Sequence, residues 1–280
     1  MARGHILMHR PPFDQGASVA EPGRIWLISG TGEGPPLADA LLHRGWQLRV
    51  SVVEASAARA YRPQPGLELC PGALASPEAI TRILEDPPGF RWVVDATHPF
   101  ASLISVQLRQ ACQASGQSLV RLERPRCPSP PARPGSPVLL DGLEPLAQLD
   151  LRGERLLLAI GSRHLAGALA RSNATAHFAR ILDNPTSLQL ALAAGLPDGH
   201  LACLRPGDGQ LELALCRHWR ITTVLCRESG GRTEQLWRQV SQELGLRLLF
   251  LKRPESEAPG LPMAELLQQL GYPGADVQPR

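Results

Sequence analysis

Three short polar segments each follow an apolar run in the sequence, and their residue types can bind charged groups or move a proton. They are Gly30-Thr31-Gly32-Glu33, Asp95-Ala96-Thr97-His98 and Arg227-Glu228-Ser229-Gly230-Gly231. Backbone N–H groups in a glycine-rich turn before a helix can hold phosphate or carboxylate oxygens. Histidine has an ordinary pKa close to neutral pH and can transfer a proton there. Together the segments predict a binding site for an anionic ligand.

The segment that ends in His98 follows the apolar run Val93-Val94. In an open parallel sheet, ligands bind beyond the carboxyl ends of the strands. Asp95, Thr97 and His98 could therefore orient a cofactor or a substrate, and His98 is the candidate for moving a proton. A second interpretation is that Asp95 and Thr97 cap the following helix and that His98 hydrogen-bonds within the turn.

The glycine-rich segment lies between a strand predicted at residues 24–29 and a helix that begins near Pro35. This is the context of a dinucleotide-binding loop, in which the pyrophosphate lies against the start of the helix. The predicted cofactor-binding residues of this loop are Gly30, Thr31, Gly32 and Glu33. Because Pro35 stands where G-x-G-x-x-G has its last glycine, the segment can also be a plain tight turn.

Two charged residues follow the second predicted strand, and either could select the cofactor. Glu54 lies about where an acidic residue binds the ribose 2′-hydroxyl of NADH, whereas Arg59 could bind the 2′-phosphate of NADPH. The sequence does not choose between the two nucleotides. Both side chains could equally be solvated surface charges.

The third segment places Ser229-Gly230-Gly231 at a predicted strand-to-helix turn, where backbone N–H groups can converge on an anion. Arg227 lies beside this turn, and Arg124 follows another predicted strand. Because the guanidinium fork binds carboxylates bidentately, both arginines could hold an acidic substrate. For Arg124 the alternative is an interdomain ion pair with little net effect on stability.

Strands and helices alternate along the chain, as they do in a doubly wound sheet. Strands are predicted at residues 24–29, 47–53, 91–96, 118–122, 155–160, 177–182, 200–204, 221–226 and 247–251. Right-handed crossovers would bring the carboxyl ends of the strands to one edge of each sheet. The predicted fold class is α/β, with two Rossmann-like domains, mainly parallel sheets and a cleft between the domains.

The chain of 280 residues is long enough for two modest domains, each with its own core. The predicted parts are a flexible N-terminal tail (1–22), a nucleotide-binding-like domain (23–125), a proline-rich linker (126–137), a second α/β domain (138–255) and a C-terminal tail (256–280). A short amphipathic helix is predicted within that tail at residues 263–270, packed on the surface.

Composition excludes several classes of protein. Hydrophobic residues make up 43% and charged residues 20%, which is typical of a soluble globular protein and not of a disordered one. No apolar run is long enough for a membrane helix, and the net charge of +3 with few aromatic side chains argues against nucleic-acid binding. The six cysteines show no metal-ligand or disulfide pattern, so no metal site is predicted and a reducing cytoplasm is favoured.

Positive charge in this chain comes almost entirely from arginine, because Lys252 is the only lysine. Arginine would suit a substrate rimmed with carboxylates. A GC-rich coding sequence, which also enriches alanine, glycine and proline, explains the same bias without any function.

The sequence resembles the precorrin-6A reductase family of cobalamin biosynthesis, in order from Arg24 to Pro254. The most specific part is D-A-T-H-P-F-A at residues 95–101. The glycine-rich segment resembles the family's G-G-T-x-E, residues 121–125 resemble R-x-x-R-P, and residues 227–231 resemble K-x-S-G-G with arginine for lysine. Family segments expected near residues 70–75 and 205–207 are replaced in this chain.

The resemblance implies a reductase in which a nicotinamide nucleotide, NADPH or NADH, gives a hydride to a double bond of precorrin-6A or its cobalt-containing counterpart, producing precorrin-6B. The tetrapyrrole would contact the residues Asp95, Thr97, His98, Arg124, Arg227, Ser229, Gly230 and Gly231. Solvent could supply the proton, and the oligomeric state stays open. The alternatives are another NAD(P)-dependent reductase or epimerase, and a non-catalytic tetrapyrrole-binding protein.

Overall fold

The computed structural model describes residues 23–74, 76–128, 136–205, 207–256 and 259–274. The predicted N-terminal tail and residues 129–135 of the predicted linker lie outside these ranges. Within them, the first half of the chain forms a five-stranded parallel sheet in the order β3-β2-β1-β4-β5. Its strands are β1 (Arg24–Ser29), β2 (Gln47–Val52), β3 (Leu67–Pro71), β4 (Trp92–Ala96) and β5 (Leu119–Arg121).

The second half forms a six-stranded parallel sheet in the order β6-β11-β10-β7-β8-β9. Its strands are β6 (Val138–Leu140), β7 (Arg155–Ala159), β8 (Ala176–Ile181), β9 (Leu201–Cys203), β10 (Thr223–Arg227) and β11 (Arg247–Leu251). Two parallel sheets in one α/β chain confirm the predicted fold class.

Helices connect the strands and cover both faces of each sheet. They are α1 (Gly34–His43), α2 (Ala55–Ala58), α3 (Pro77–Leu84), α4 (Ser102–Ala114), α5 (Leu165–Leu169), α6 (Pro185–Ala193), α7 (Gln210–His218), α8 (Arg232–Leu244) and α9 (Met263–Leu270). No helix in the described part of the chain is both long and apolar enough to cross a bilayer.

Local signals in the sequence determine where several helices begin. At α3, the Ser76 hydroxyl accepts a hydrogen bond from the Ala79 N–H, and at α6 the Asn184 side chain accepts one from the Ser187 N–H. Each cap satisfies an N–H group that has no partner within its helix. A proline stands at the first position of both helices, where the missing N–H has no cost.

The central strands are buried on both faces, as parallel strands between helical layers must be. Along β1, Ile25 and Leu27 enter one core, whereas Trp26 and Ile28 enter the core on the opposite face. The second sheet likewise separates two cores, with Leu158 in one and Leu157 in the other. Each sheet is thereby a rigid platform whose strand ends are held in place.

The C-terminal segment returns to the first sheet. Leu261 pairs with Leu122 in a parallel bridge, and the Leu261 N–H donates to the Arg121 carbonyl at 2.8 Å. Helix α9 buries Leu266 and Leu270 completely in the same core as Leu37 of α1. We therefore call residues 23–74 and 76–125 with 259–274 the first lobe, and residues 136–205 and 207–256 the second lobe. The predicted helix at 263–270 is part of a core and does not merely lie on the surface.

Candidate active site

A cavity of about 450 Å³ lies between the two lobes and is lined by both of them. It brings together polar segments that are up to about 200 residues apart in the sequence. The lining residues used below are Gly30, Thr31, Gly32, Tyr61, His98, Arg124, Gly161, Arg180, Arg227 and Ser229.

Strand order explains why these segments meet. In the first sheet, the order in which the chain adds strands reverses between β1 and β4, which are neighbours although two other strands separate them in the chain. In the second sheet, the strand order reverses between β7 and β10. A crevice opens at such a switch point, beyond the carboxyl ends of the two strands. The glycine-rich loop follows β1, His98 follows β4, Gly161 follows β7 and Ser229 follows β10, so both crevices face the same cavity.

The glycine-rich loop presents bare backbone beside the start of α1. A Cβ atom added at Gly30 or Gly32 would meet no other atom within 4 Å. A Cβ at Gly34 would instead collide with the hydroxyl groups of Ser29 and Tyr61. The loop is tied to β4, because the Thr31 hydroxyl donates to the Ala96 carbonyl at 3.4 Å. Gly30 and Gly32 therefore leave room for a ligand, whereas Gly34 is needed for internal packing.

Glu33 and Arg124 form an ion pair beside this loop, with 2.6 Å between Arg124 Nη2 and Glu33 Oε2. Arg124 Nη1 also lies 3.5 Å from the Ser229 carbonyl of the second lobe. Arg124 therefore contacts the glycine-rich loop and the opposite lobe while it lines the cavity. Its predicted roles in ligand binding and in an interdomain contact are compatible.

Asp95 and Thr97 lie beneath the turn that carries His98, and they do not line the cavity. The buried Asp95 carboxylate accepts hydrogen bonds from the Thr97 N–H at 3.0 Å, the Thr97 hydroxyl at 2.7 Å and Arg121 Nη1 at 2.5 Å. These contacts fix the turn after β4. The alternative interpretation, in which both residues cap the following helix, is wrong, because the N-cap of α4 is Ala101 and the Asp95 and Thr97 bonds lie within the turn after β4.

His98 lies in the cavity as a neutral imidazole. Burial, together with the nearby positive charges of Arg124, Arg227 and Arg253, lowers the pKa of His98 to about 3. Its Nδ1 accepts a hydrogen bond from the Phe100 N–H at 3.2 Å, so the single proton resides on Nε2. Neutral His98 can donate a hydrogen bond from Nε2, but the imidazolium form is not available near neutral pH.

Arg227 reaches from β10 toward the turn of the first lobe. Its guanidinium lies 5.0 Å from the centre of the Phe100 ring, a cation–π contact between the lobes. Burial and the neighbouring Arg163 lower the pKa of Arg227 to about 10, which still leaves it protonated near neutral pH. Its buried Nε has no hydrogen-bond partner among the described residues. Arg227 therefore places a positive charge at the cavity.

The turn at Ser229 uses its backbone donors internally. The Ser229 N–H donates to the Arg227 carbonyl at 2.8 Å, and the Gly230 N–H donates to Glu234 Oε2 at 2.7 Å. A Cβ at Gly230 would collide with the Pro125 carbonyl, and one at Gly231 would lie 2.8 Å from Arg124 Nη1. The two glycines therefore allow the lobes to approach each other, and Ser229 alone of this turn lines the cavity.

Glu54 and Arg59 are exposed on either side of α2 and do not line the cavity. Ala57 and Ala60, which lie between and beside them, do line it. Both charged residues are therefore sequence neighbours of the cavity lining but are not part of it. The choice between NADH and NADPH stays a prediction for these two residues.

The structure adds Arg180 and Tyr61 to the cavity, and neither was predicted from the sequence. Arg180 lies in β8 between the buried residues Ala179 and Ile181. A lone charge inside an otherwise buried strand is the signal that could have identified it, because charged residues are almost never fully buried without a partner. Tyr61 belongs to no recognisable motif.

The cavity fits a nicotinamide nucleotide by the chemistry of its lining. Bare glycine backbone at the start of a helix suits a pyrophosphate, and the guanidinium groups of Arg124, Arg180 and Arg227 provide positive charge around it. Gly30, Thr31 and Gly32 are the residues that would hold the phosphates.

Comparison with known proteins agrees with this arrangement. The chain is 32% identical to the cobalt-precorrin-6A reductase of Synechocystis sp. over 238 residues, covering 83% of this chain and 89% of that protein. It is 30% identical to the precorrin-6A reductase of Rhodococcus erythropolis over 236 residues, covering 82% and 89%. A solved structure titled CobK precorrin-6A reductase superposes with a TM-score of 0.72 at 25% identity, covering 90% of this chain and 99% of that one.

The same relationship is seen at the level of the whole family. The family described as "Precorrin-6x reductase CbiJ/CobK" matches residues 24–271, which include both lobes and α9. This confirms the resemblance stated from the sequence motifs. The chain belongs to the precorrin-6x reductase CbiJ/CobK family.

Proposed function

We propose that this chain reduces precorrin-6A, or its cobalt-containing counterpart, with a nicotinamide nucleotide. The observation that supports the proposal is the cavity between the lobes, where the glycine-rich loop, His98 and three arginines converge. The family and the names of the relatives agree with an oxidoreductase of cobalamin biosynthesis, and they do not favour the non-catalytic or epimerase alternatives.

The chain's contribution to the reaction is positioning and charge. Gly30, Thr31 and Gly32 would hold the pyrophosphate, and the hydride is supplied by the nicotinamide ring when the nucleotide is bound. Arg124 and Arg227 would bind carboxylates of the macrocycle, which fixes the face that it presents to the nucleotide. The two lobes line opposite sides of the site, and the cavity stays open to the solvent that supplies the proton.

His98 would donate its Nε2 hydrogen to a polar atom of the substrate. It is a poor general acid in this setting, because deprotonation of a neutral imidazole is not accessible near neutral pH. Reduction of a carbon–carbon double bond needs one hydride and one proton, and in this proposal solvent supplies the proton. His98 therefore acts in binding and orientation.

We expect Glu54 or Arg59 to determine which nucleotide the chain prefers. If Arg59 binds a 2′-phosphate, then Arg59→Ala raises the KM for NADPH and leaves that for NADH unchanged. If Glu54 binds the ribose 2′-hydroxyl, then Glu54→Ala raises the KM for NADH selectively. Steady-state kinetics of both variants with both nucleotides distinguish the two cases.

The proposal is tested by incubating the purified chain with precorrin-6A, or separately with cobalt-precorrin-6A, and each nucleotide. We expect oxidation of the nucleotide, followed by the loss of the ultraviolet absorbance of the reduced nicotinamide, to be matched by formation of precorrin-6B. A bound tetrapyrrole without oxidation would favour a binding protein, and oxidation with other substrates only would favour another reductase. The reaction would take place in the cytoplasm, as the cysteine content predicts.

A further inference from the structure

We propose that Arg180 is an additional anion-binding residue of the cavity and that Glu212 holds it in position. The inference rests on the proposed function, because it assigns a further contact to the same ligands. Its basis is a buried guanidinium that lines the cavity and has unused donors.

Arg180 is only 8% exposed, yet its Nε and Nη2 atoms have no hydrogen-bond partner among the described residues. Leaving the donors of a buried charged group unsatisfied is costly, and native proteins rarely do so without a reason. Arg180 also lines the cavity between the lobes. An anion entering the cavity would satisfy donors that the protein itself leaves free.

Glu212 of α7 supplies the charge that makes a buried arginine tolerable. It is 1% exposed, and its Oε1 lies 3.9 Å from Arg180 Nη2, which is too long for a hydrogen bond. Glu212 therefore attracts the guanidinium without occupying its N–H groups. Glu212 Oε2 also has no hydrogen-bond partner among the described residues.

Arg180 and Arg227 stand on the two strands that flank β7. Ala179 pairs with Leu158, and Cys226 pairs with Ala159, so the residues that follow them lie at nearly the same height along the sheet. Strands two positions apart are separated by roughly 10 Å. Ala159 and Gly161 also line the cavity, and the Arg227 guanidinium packs against Gly161, where an added Cβ would lie 3.1 Å from Arg227 Nη2.

The ligand chemistry that fits is an oxyanion. The planar guanidinium matches the two oxygens of a carboxylate or a phosphate. A macrocycle carboxylate and a nucleotide phosphate are the two sources of such a group in the proposed reaction. Binding measurements with each ligand alone tell them apart.

The test compares Arg180→Gln with the wild-type chain. Dissociation constants for NADPH and for NADH are measured by calorimetry without tetrapyrrole, and the dissociation constant for precorrin-6A is measured without nucleotide. We expect binding of one ligand class to weaken about tenfold or more, as for loss of a charge-assisted hydrogen bond. Weaker tetrapyrrole binding identifies a carboxylate, and weaker nucleotide binding identifies a phosphate.

Arg217→Gln is the matched control, because it removes the same charge from an exposed arginine on α7, paired with Glu243. We expect it to leave all three dissociation constants unchanged. Arg180→Gln leaves Glu212 buried without its partner and can lower the melting temperature. The double variant Arg180→Gln with Glu212→Gln removes both buried charges, so we expect it to keep the fold while it lacks the anion site.

The positioning role of Glu212 is tested by a double-mutant cycle. Glu212→Gln should weaken binding of the same ligand when Arg180 is present and should have no further effect in the Arg180→Gln background. An effect of Glu212→Gln that is equal in both backgrounds would reduce Glu212 to a structural residue and overturn that part of the proposal.

Unchanged binding of all three ligands to the folded double variant would overturn the anion site itself. These binding measurements do not require turnover. If the wild-type chain binds the ligands but fails to oxidise nucleotide, the proposed function fails while the role of Arg180 is still decided.

Discussion

His98 is kept uncharged by its surroundings, and this has a measurable effect on stability. The pKa of His98 is lowered to about 3 by burial and by three arginines, whereas an unfolded chain has a histidine pKa of about 6.5. The unfolded state therefore binds a proton before the folded state does as the pH falls. The free energy of unfolding should decrease as the pH falls from about 6.5 toward about 3, and His98 should have no such effect above that window.

We predict that His98→Gln removes this contribution. When the pH is lowered from about 7.5 to about 5, which brackets the ordinary histidine pKa, the wild type should lose about 1–2 kcal/mol more stability than the variant does. Urea unfolding at the two pH values measures the difference. His218→Gln, at an exposed position on α7, is the control. Parallel losses in wild type and His98→Gln would contradict a buried neutral His98.

The glycines of the first loop make separable predictions for binding and for stability. Gly32 faces open space, so Gly32→Ala should leave the melting temperature unchanged and weaken nucleotide binding about tenfold, because the new methyl group occupies the approach to the backbone. Gly34 packs against Ser29 and Tyr61, so Gly34→Ala should instead lower stability by about 1–3 kcal/mol. Thermal unfolding and nucleotide titration of both variants test the pair. The opposite assignment of effects would rule out this description of the loop.

At the scale of elements, the turn between β10 and α8 brings the two lobes into contact. Gly230 has a φ of +68° and lies against the Pro125 carbonyl and the Arg253 side chain. Arg253 is itself 5% exposed and donates from Nη1 to the Arg124 carbonyl at 2.8 Å. The turn is therefore shaped by the contact between lobes as well as by the ligand site.

We predict that Gly230→Ala destabilises the chain by about 1–3 kcal/mol more than Gly195→Ala does. Both glycines have positive φ, but a Cβ at Gly195 would meet no atom within 4 Å. The difference between the two losses of stability therefore measures the collision alone, because both substitutions share the backbone strain. Chemical denaturation of the two variants measures it. Equal losses would mean that the lobes adjust freely at this contact.

The central strands were predictable from the sequence, whereas the edge strands β3 and β6 were not. Strand β1 is a continuous apolar run and was predicted at its observed bounds. Strands β3 and β6 were missed, because both lie at sheet edges and are short and only partly buried. Helix α6 was also missed, although Asn184-Pro185 gives the same cap-and-proline signal as Ser76-Pro77 at α3.

The candidate site was predictable as a meeting of loops but not as a set of contacts. Parallel topology and the motifs correctly placed Gly32, His98 and Ser229 on one cavity. The sequence could not reveal that the N–H groups of Ser229 and Gly230 donate hydrogen bonds to Arg227 and Glu234 rather than facing a ligand. It also could not reveal the buried pair of Arg180 and Glu212, because these side chains come from separate elements and meet only in the folded second lobe.

At the scale of the whole molecule, the first lobe depends on the C-terminal helix. Leu266 is fully buried in the core of that lobe, so Leu266→Ala should lower the free energy of unfolding by about 2–5 kcal/mol. Leu103→Ala is the control, since Leu103 is 73% exposed on α4. Urea unfolding measures both. A small loss for Leu266→Ala would contradict a structural role for α9.

The return of α9 to the first sheet also affects the order in which the protein can be made. The parts of the first lobe that are synthesised early, including α1, lack a section of their core until Leu270 has been added. The second lobe is contiguous and can finish its core while synthesis is still in progress. The lobe that the ribosome produces first is therefore the one that completes its folding last.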